Sequence, residues 1–229
     1  MIKQNKRAPS ALAGAALLGL MLVVSAPPAE AGAREQAKRM YDRIAGVPPT
    51  EAELSTMLSV MDVNNDGITD SEAAAQAAAQ LALDSQGFYN VTLKNMATPW
   101  TNEEQTMFAD LNDFTATVIG VVRDGLDFRQ VLYGDLLYVG TNGSLPAYSN
   151  SDNDHYVALE ASGANLGDPG VLERRTQSGV TGLASSATAG VMTTRAAAKA
   201  FFVAGTNRAM FRFTMLNFLC RDLEQVKDT

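Results

Sequence analysis

The sequence predicts a mainly α-helical domain with one long irregular segment at about residues 139–190. Apolar residues recur at helical spacing in several stretches on both sides of that segment. The composition, 46% hydrophobic and 19% charged, is ample for a packed core. Between 139 and 190 Gly, Ser, Asn and Asp replace the helical pattern, so we expect loop there, with room for one or two short strands.

Local signals predict three helices at the start of the domain. Residues 34–44 place their apolar side chains on one helical face. Thr50 followed by Glu53 is a capping box, which predicts that a second helix begins there. A polar loop follows, and the Ala-rich residues 71–83 favour a third helix by propensity.

Shorter helices are predicted in the middle of the chain, and a longer helix near its end. The predicted spans are 88–95, one or two helices within 102–125, then 127–137 and 195–203. The last helix starts at a cap on Thr206 or Asn207 and runs to about Val226. Its broad apolar stripe, including Phe211 and Leu219, predicts a core-facing helix that also buries Cys220.

The first 31 residues have the layout of a secretory signal peptide. Lys3, Lys6 and Arg7 precede an uncharged apolar run at 11–26, and Ala29–Ala31 is a small-residue cleavage site. We therefore expect a periplasmic or secreted protein, cleaved near Ala31, with no membrane span after the signal peptide is removed. Residues 32–229 are then one helical domain, with a sub-boundary near 97–101.

The overall charge is acidic, which gives no reason to propose nucleic-acid binding. The whole chain has a formal net charge of −7, and removing residues 1–31 makes it more negative. Cys220 is the single cysteine, so no intrachain disulfide forms and the fold is held by its core.

The loop after the second predicted helix resembles the calcium loop of EF-hands and dockerins. Asp62, Asn64 and Asp66 match loop positions 1, 3 and 5, Gly67 supplies the turn at position 6, and Asp70 stands at position 9. The acid Glu72 comes one place before position 12, which is Ala73. Two interpretations stay open: a calcium site, or a polar turn whose side chains cap helices.

Basic residues near the end of the chain suggest an anion or partner contact. Arg195 and Lys199 lie one helical turn apart, as do Arg208 and Arg212. Two interpretations are open for these four side chains. They form an anion pocket at a helix N-terminus, or their aliphatic stems cover the core while their charged ends pair with carboxylates.

The sequence contains no strong catalytic motif. It has no P-loop, no Gly-x-Ser-x-Gly, no His-Glu-x-x-His and no Cys-x-x-Cys-His. His155 is the only histidine and is expected to be structural, although an enzyme site using His155 with Asp154 and Tyr156 is one further hypothesis. We therefore expect no catalytic residues, and calcium is the one cofactor that the residues suggest.

Four stretches carry a family resemblance: 88–94 (FYNVTLK), 111–120 (LNDFTATVIG), 127–135 (DFRQVLYGD) and 205–213 (GTNRAMFRF). They are similar to uncharacterised exported proteobacterial proteins. Those proteins resemble the helical domains that accompany c-type cytochrome modules in planctomycete-type cytochrome proteins.

The resemblance implies a scaffold or accessory role beside a c-type cytochrome or another exported redox protein. The Cys-x-x-Cys-His segment that attaches haem in such proteins is missing, so this chain holds no haem itself. The family pattern would continue toward that segment beyond Thr229. The alternative function is a calcium-binding adhesion or scaffold module built on residues 62–72.

Overall fold

The computed structural model describes residues 32–205 and 208–225, and these form a mainly α-helical fold. The predicted fold class is therefore confirmed. The predicted signal peptide, the predicted caps Thr206 and Asn207, and the residues from Val226 onward lie outside the described residues. None of the described helices has the length and apolar character needed to span a membrane.

The described residues contain ten α-helices, two strands and two π-helical turns. The helices are α1 (Ala33–Ala45), α2 (Glu51–Met61), α3 (Glu72–Leu83), α4 (Lys94–Ala97), α5 (Asp113–Arg123), α6 (Gln130–Tyr133), α7 (Asp154–Ala161), α8 (Gln177–Thr181), α9 (Arg195–Ala198) and α10 (Ala209–Leu219). The strands are β1 (Leu137–Gly140) and β2 (Leu172–Arg175). The π-helical turns are Phe88–Leu93, before α4, and Lys199–Val203, which continues α9.

Helices α1, α2 and α3 pack around a small core of their own. The predicted capping box is present: Thr50 Oγ1 accepts from the Glu53 N–H at 3.2 Å, and Glu53 Oε2 accepts from the Thr50 N–H at 2.7 Å. Small side chains on α1 and α3 let the helices approach closely, and larger apolar side chains come mostly from α2. The buried members are Ala37, Tyr41, Ala45, Leu54, Met57, Met61, Ala78 and Ala82.

The larger core surrounds α5, whose residues 113–121 are all buried. Strand β1 pairs antiparallel with β2, with Tyr138 opposite Arg174. The Tyr138 ring lies directly on α5 at Gly120, where a Cβ would come within 2.2 Å of Tyr138 Cδ1. Glycine at this position therefore allows the sheet to pack on the helix.

The segment 139–190 contains more regular structure than its composition predicts. It holds α7, α8 and β2 as well as loops. Helix α7 buries His155, Tyr156 and Leu159, and the Tyr156 hydroxyl donates to the Tyr138 carbonyl oxygen at 2.8 Å. The Tyr138 carbonyl oxygen belongs to β1, so this contact is tertiary and a local helical pattern does not reveal the helix.

The prediction for the last helix is wrong in three respects: its end, the burial of Cys220 and the face that meets the core. The helix ends at Leu219, because Cys220 adopts the left-handed conformation with φ 51°, and Cys220 is exposed. Phe211 and Leu219, predicted to face the core, are 61% and 64% exposed. Phe213 faces the core instead and stacks on Phe201 with ring centroids 4.9 Å apart.

Candidate functional site

A buried carboxylate joins the start of α5 to the start of α9. Asp113 is fully buried, and its Oδ2 accepts from the Arg195 N–H at 2.6 Å while its Oδ1 accepts from the Ala196 N–H at 3.0 Å. Thr194 caps α9, so these are the first N–H groups of that helix. Burial raises the pKa of Asp113, although the Arg195 charge and the backbone N–H groups act in the opposite direction.

Two tyrosines from the 139–190 segment border this carboxylate. The Tyr148 hydroxyl donates to Asp113 Oδ2 at 3.3 Å, and the Tyr148 and Tyr156 rings meet edge to face at 6.2 Å. Burial, reinforced by the Asp113 charge, raises the pKa of both tyrosines above its ordinary value. The pair therefore stays neutral and hydrogen-bonded, which suits a structural junction between α5, α7 and α9.

The Arg195 side chain leaves this junction and borders an open cleft of about 340 Å³. Its Nη2 donates to Asn153 Oδ1 at 2.5 Å, and its Nε is buried with no hydrogen-bond partner. We name this space the Arg195 cleft. Its lining residues are Thr101, Asn102, Glu103, Glu104, Ala109, Asp110, Asn112, Asn153, Arg195, Ala196, Lys199, Ala200 and Ala204.

The amide side chains in the Arg195 cleft are occupied by the protein itself. Asn102 accepts from the Thr106 N–H at 2.9 Å and donates to the Thr98 carbonyl oxygen at 3.0 Å. Asn112 caps α5, and Asn153 Nδ2 donates to the Leu111 carbonyl oxygen at 2.7 Å. These amides hold the walls in place and leave recognition of a ligand to the charged side chains.

The structure separates the basic residues that the sequence grouped together. Arg208 and Arg212 border a second cleft of about 360 Å³ together with Glu103 and Phe213. Arg212 donates from Nε and Nη2 to the two carboxylate oxygens of Asp222 at 2.9 and 2.8 Å. Arg212 is therefore engaged in a bidentate ion pair, while Arg195 belongs to the other cleft.

The predicted calcium loop lies between α2 and α3, as a helix–loop–helix arrangement requires. Asp62 is buried and accepts from the Asp66 and Gly67 N–H groups, both at 2.9 Å. Gly67 has φ 84°, a conformation that favours glycine. Asn64 Oδ1 also accepts from the Asp66 N–H, at 3.1 Å, so the first half of the loop folds around its own side chains.

The second half of the loop makes contacts of a different kind. Asp70 Oδ2 accepts from the Val63 N–H at 2.8 Å, which closes the loop. Glu72 begins α3 and accepts from Gln76 Nε2 at 3.3 Å. Among the residues that the structure describes, no three His, Cys, Asp or Glu side chains are grouped to hold a metal ion.

His155 has a structural environment. Its Nε2 accepts from the Gly140 N–H at 2.9 Å, and its Nδ1 lies 2.6 Å from the Pro146 carbonyl oxygen, so Nδ1 carries the proton. The side chain is buried, and both ring nitrogens hold the segment 139–190 in place. Tyr156, its partner in the enzyme hypothesis, donates to the Tyr138 backbone.

Exposed apolar side chains gather on the last two helical segments. Phe202 and Val203 follow α9, and Phe211 and Leu219 belong to α10; all four are more than half exposed. We call these four residues the C-terminal surface. Lys199, Arg208 and Arg221 are exposed on the same stretch of chain, which makes this stretch basic in an acidic protein.

Comparison with models of protein families, with curated proteins and with solved structures finds no match to this chain. The fold and its sites therefore define the class of protein. It is a mainly α-helical domain with a mixed-charge cleft beside Arg195, an acidic helix–loop–helix and a basic C-terminal stretch that exposes large apolar side chains.

Sequence reasoning missed Asp113, the residue that organises the cleft. The signal was present: one acid stands directly after a helix cap, at the start of a run that is otherwise apolar or small, 114–121. An acid at this place is also typical of an exposed first helical turn. Only the position of α9 distinguishes the buried carboxylate from that ordinary case.

Proposed function

We propose that the chain is an exported, non-catalytic accessory domain that holds a c-type cytochrome or a similar exported redox protein. The observation that carries this proposal is the C-terminal surface. Large apolar side chains grouped at the surface mark interaction sites more often than isolated ones do. Export is supported by the composition of residues 1–31, and the redox partner by the sequence resemblance.

The charges around the C-terminal surface indicate what the partner presents. Lys199, Arg208 and Arg221 are exposed on the same stretch of chain as these apolar side chains. The complementary surface is therefore an apolar patch bordered by carboxylates, because complementary charges steer association and fix its register. This favours a partner whose docking face is acidic around an apolar centre.

Two features support a role without catalysis. Both nitrogens of His155, the only histidine in the sequence, are used by the backbone. The buried Asp113 is held by two backbone N–H groups, so it is a structural acceptor rather than a general base.

The test is capture of a haem protein by the purified mature domain from periplasmic extract, read by haem staining and Soret absorbance. We expect the domain to retain a haem protein and Phe211→Asp to lose it. Ile68→Asp, which changes an exposed apolar residue on the loop 62–71, is the matched control and keeps the partner. Absence of haem in the wild-type eluate, or equal capture by Phe211→Asp, refutes the proposal.

A second candidate function is calcium binding at residues 62–72. It is favoured by the helix–loop–helix placement and by the positive φ of Gly67 at the position where such loops need a glycine. Asp62, Asn64 and Asp66 would supply the first ligands, and Asp70 a later one. Glu72 would have to give up its contact with Gln76 to reach the ion.

Thermal melts in millimolar calcium and in chelator test this candidate. A ligand that binds only the folded state stabilises it by about 2.7 kcal/mol at a hundred times its dissociation constant, so the melting temperature should rise. Asp66→Ala should remove the rise, while Asp152→Ala, an exposed acid outside the loop, should retain it. Identical melts with calcium and with chelator exclude the site.

A further inference from the structure

The Arg195 cleft has unused hydrogen-bond donors on its helical wall. Arg195 Nε is buried without a partner, and such groups are rare in folded proteins because they cost free energy. Lys199 lies one helical turn further along the same wall. Within the described residues neither side chain forms an ion pair. Two adjacent cations with free donors are suited to binding a carboxylate.

A second segment that lines the cleft carries the opposite charge. Glu103, Glu104 and Asp110 are exposed on the segment between the Thr98–Thr101 turn and α5. Their carboxylates would repel a ligand that is only anionic and would attract a cationic group on it. The cleft is therefore lined by groups of both charge signs, and these would favour a ligand that carries both charges.

Small side chains on the helical wall keep the cleft open. Ala196, Ala200 and Ala204 recur every four residues along the helical wall, so they share one face of it. The volume of about 340 Å³ lies at the lower end of the range for small-molecule sites. The space suits a molecule of the size of an amino acid or a dipeptide.

We propose that the Arg195 cleft binds a small zwitterion of the amino-acid or dipeptide class. The ligand carboxylate lies against the Arg195 guanidinium group and the Lys199 ammonium group. The ligand ammonium group faces the acids of the 103–110 segment. Lys199 is shared with the basic stretch of the C-terminal surface, but Arg195 and the acids of the 103–110 segment belong to the cleft alone, and its ligand is distinct from the protein partner proposed above.

Isothermal titration of the mature protein with L-alanyl-L-alanine tests the proposal. We expect binding by this dipeptide. The N-acetylated dipeptide lacks the ammonium group and the C-terminal amide lacks the carboxylate, so each should bind at least about tenfold more weakly, which corresponds to 1.4 kcal/mol. Lys199→Gln should lower the affinity for the dipeptide about fivefold or more, and Arg195→Gln should lower that affinity further. Lys38→Gln, an exposed lysine on α1, is the matched control and should leave affinity unchanged.

Three results would overturn the proposal: no heat with the dipeptide up to about 10 mM, equal affinity for the amide, or unchanged affinity in Lys199→Gln. Arg195→Gln also removes the contact with Asn153, so its melting temperature is measured first. If that variant does not fold, Lys199→Gln decides, because Lys199 is exposed and its side chain holds no other element in place.

Discussion

The loop 62–72 and the Asp113–Arg195 junction are both polar, but they are built over very different distances along the chain. Asp62 accepts from N–H groups four and five residues away. Asp113 accepts from N–H groups 82 and 83 residues away. The loop can form from its own sequence, whereas the junction exists only once α5 and α9 have packed together.

Burial makes the second arrangement far more sensitive than the first. Asp113 is fully buried, so a group that loses its partner there has no water to replace it. The residues around Asp62 are largely exposed, and solvent can take over their hydrogen bonds. Substitutions in the junction should therefore lower the free energy of unfolding more than substitutions in the loop, even where the same number of hydrogen bonds is removed.

Asp113→Ala should have the largest effect. It leaves the Arg195 and Ala196 N–H groups buried without an acceptor, and each buried donor that loses its partner costs about 1–3 kcal/mol. Urea unfolding measures the loss in free energy of unfolding. A loss no greater than that of Asp62→Ala would mean that the junction is not the organising contact.

Gly120→Ala should be the next most destabilising change. The new Cβ would lie 2.2 Å from Tyr138 Cδ1, and overpacking of this kind costs about 1–3 kcal/mol. Gly143→Ala is the matched control, because nothing lies within 4 Å of its Cβ position. Thermal melts should give Gly120→Ala a clearly lower melting temperature than Gly143→Ala. Equal melting temperatures would contradict the packing of β1 on α5.

Asp62→Ala should destabilise the protein by about 1–2 kcal/mol, because the Asp66 and Gly67 N–H groups lose a common acceptor near the surface. Urea unfolding in chelator measures this contribution in the absence of metal. Repeating it in calcium sharpens the comparison, because a bound ion would enlarge the difference from wild type. An unchanged difference would support the helix-capping interpretation of the loop.

The smallest effect is expected from Asp135, and it depends on pH. Hydrogen bonds from the Ser178 hydroxyl and N–H lower the pKa of Asp135 below its ordinary value of 3.8. A carboxylate whose pKa is lower in the folded state adds stability above the unfolded value, and this stability is lost as the pH falls through the folded value. Asp135→Asn should therefore make the melting temperature depend less on pH in the acid range, and should change it little near neutral pH. Thermal melts of the variant and wild type at a series of pH values measure this difference.

Asp113 should titrate in the opposite sense. Its pKa is raised by burial, so its contribution is fully present below the unfolded value and is lost as the pH rises through the folded value. Melting temperatures of wild type and Asp113→Asn across the acid range check this sign. A wild-type advantage that grows steadily with pH would contradict it.

The N-terminal helices were predictable because their signals are local. The capping box at Thr50 and Glu53, and the loop between α2 and α3, were all expected and are all present. Helix α7 was not expected, since its Gly-, Ser- and Asn-rich surroundings conceal it and its stability comes from contacts with β1. The apolar stripe of α10 predicted that its side chains are buried in the core. A stripe alone does not show whether the surface that covers it belongs to the same chain.

The amino-acid sequence alone predicts that the protein is mainly helical, where its first helices begin, and which acids share the loop 62–72. Each of these depends on residues within one or two helical turns. Three features follow from packing in three dimensions: Asp113 is buried against α9, Arg195 and Arg212 line different clefts, and Phe211 is exposed. All three features depend on which distant segments of the chain pack together. Burial and long-range hydrogen bonds are set by that packing, and a short window of residues does not encode it.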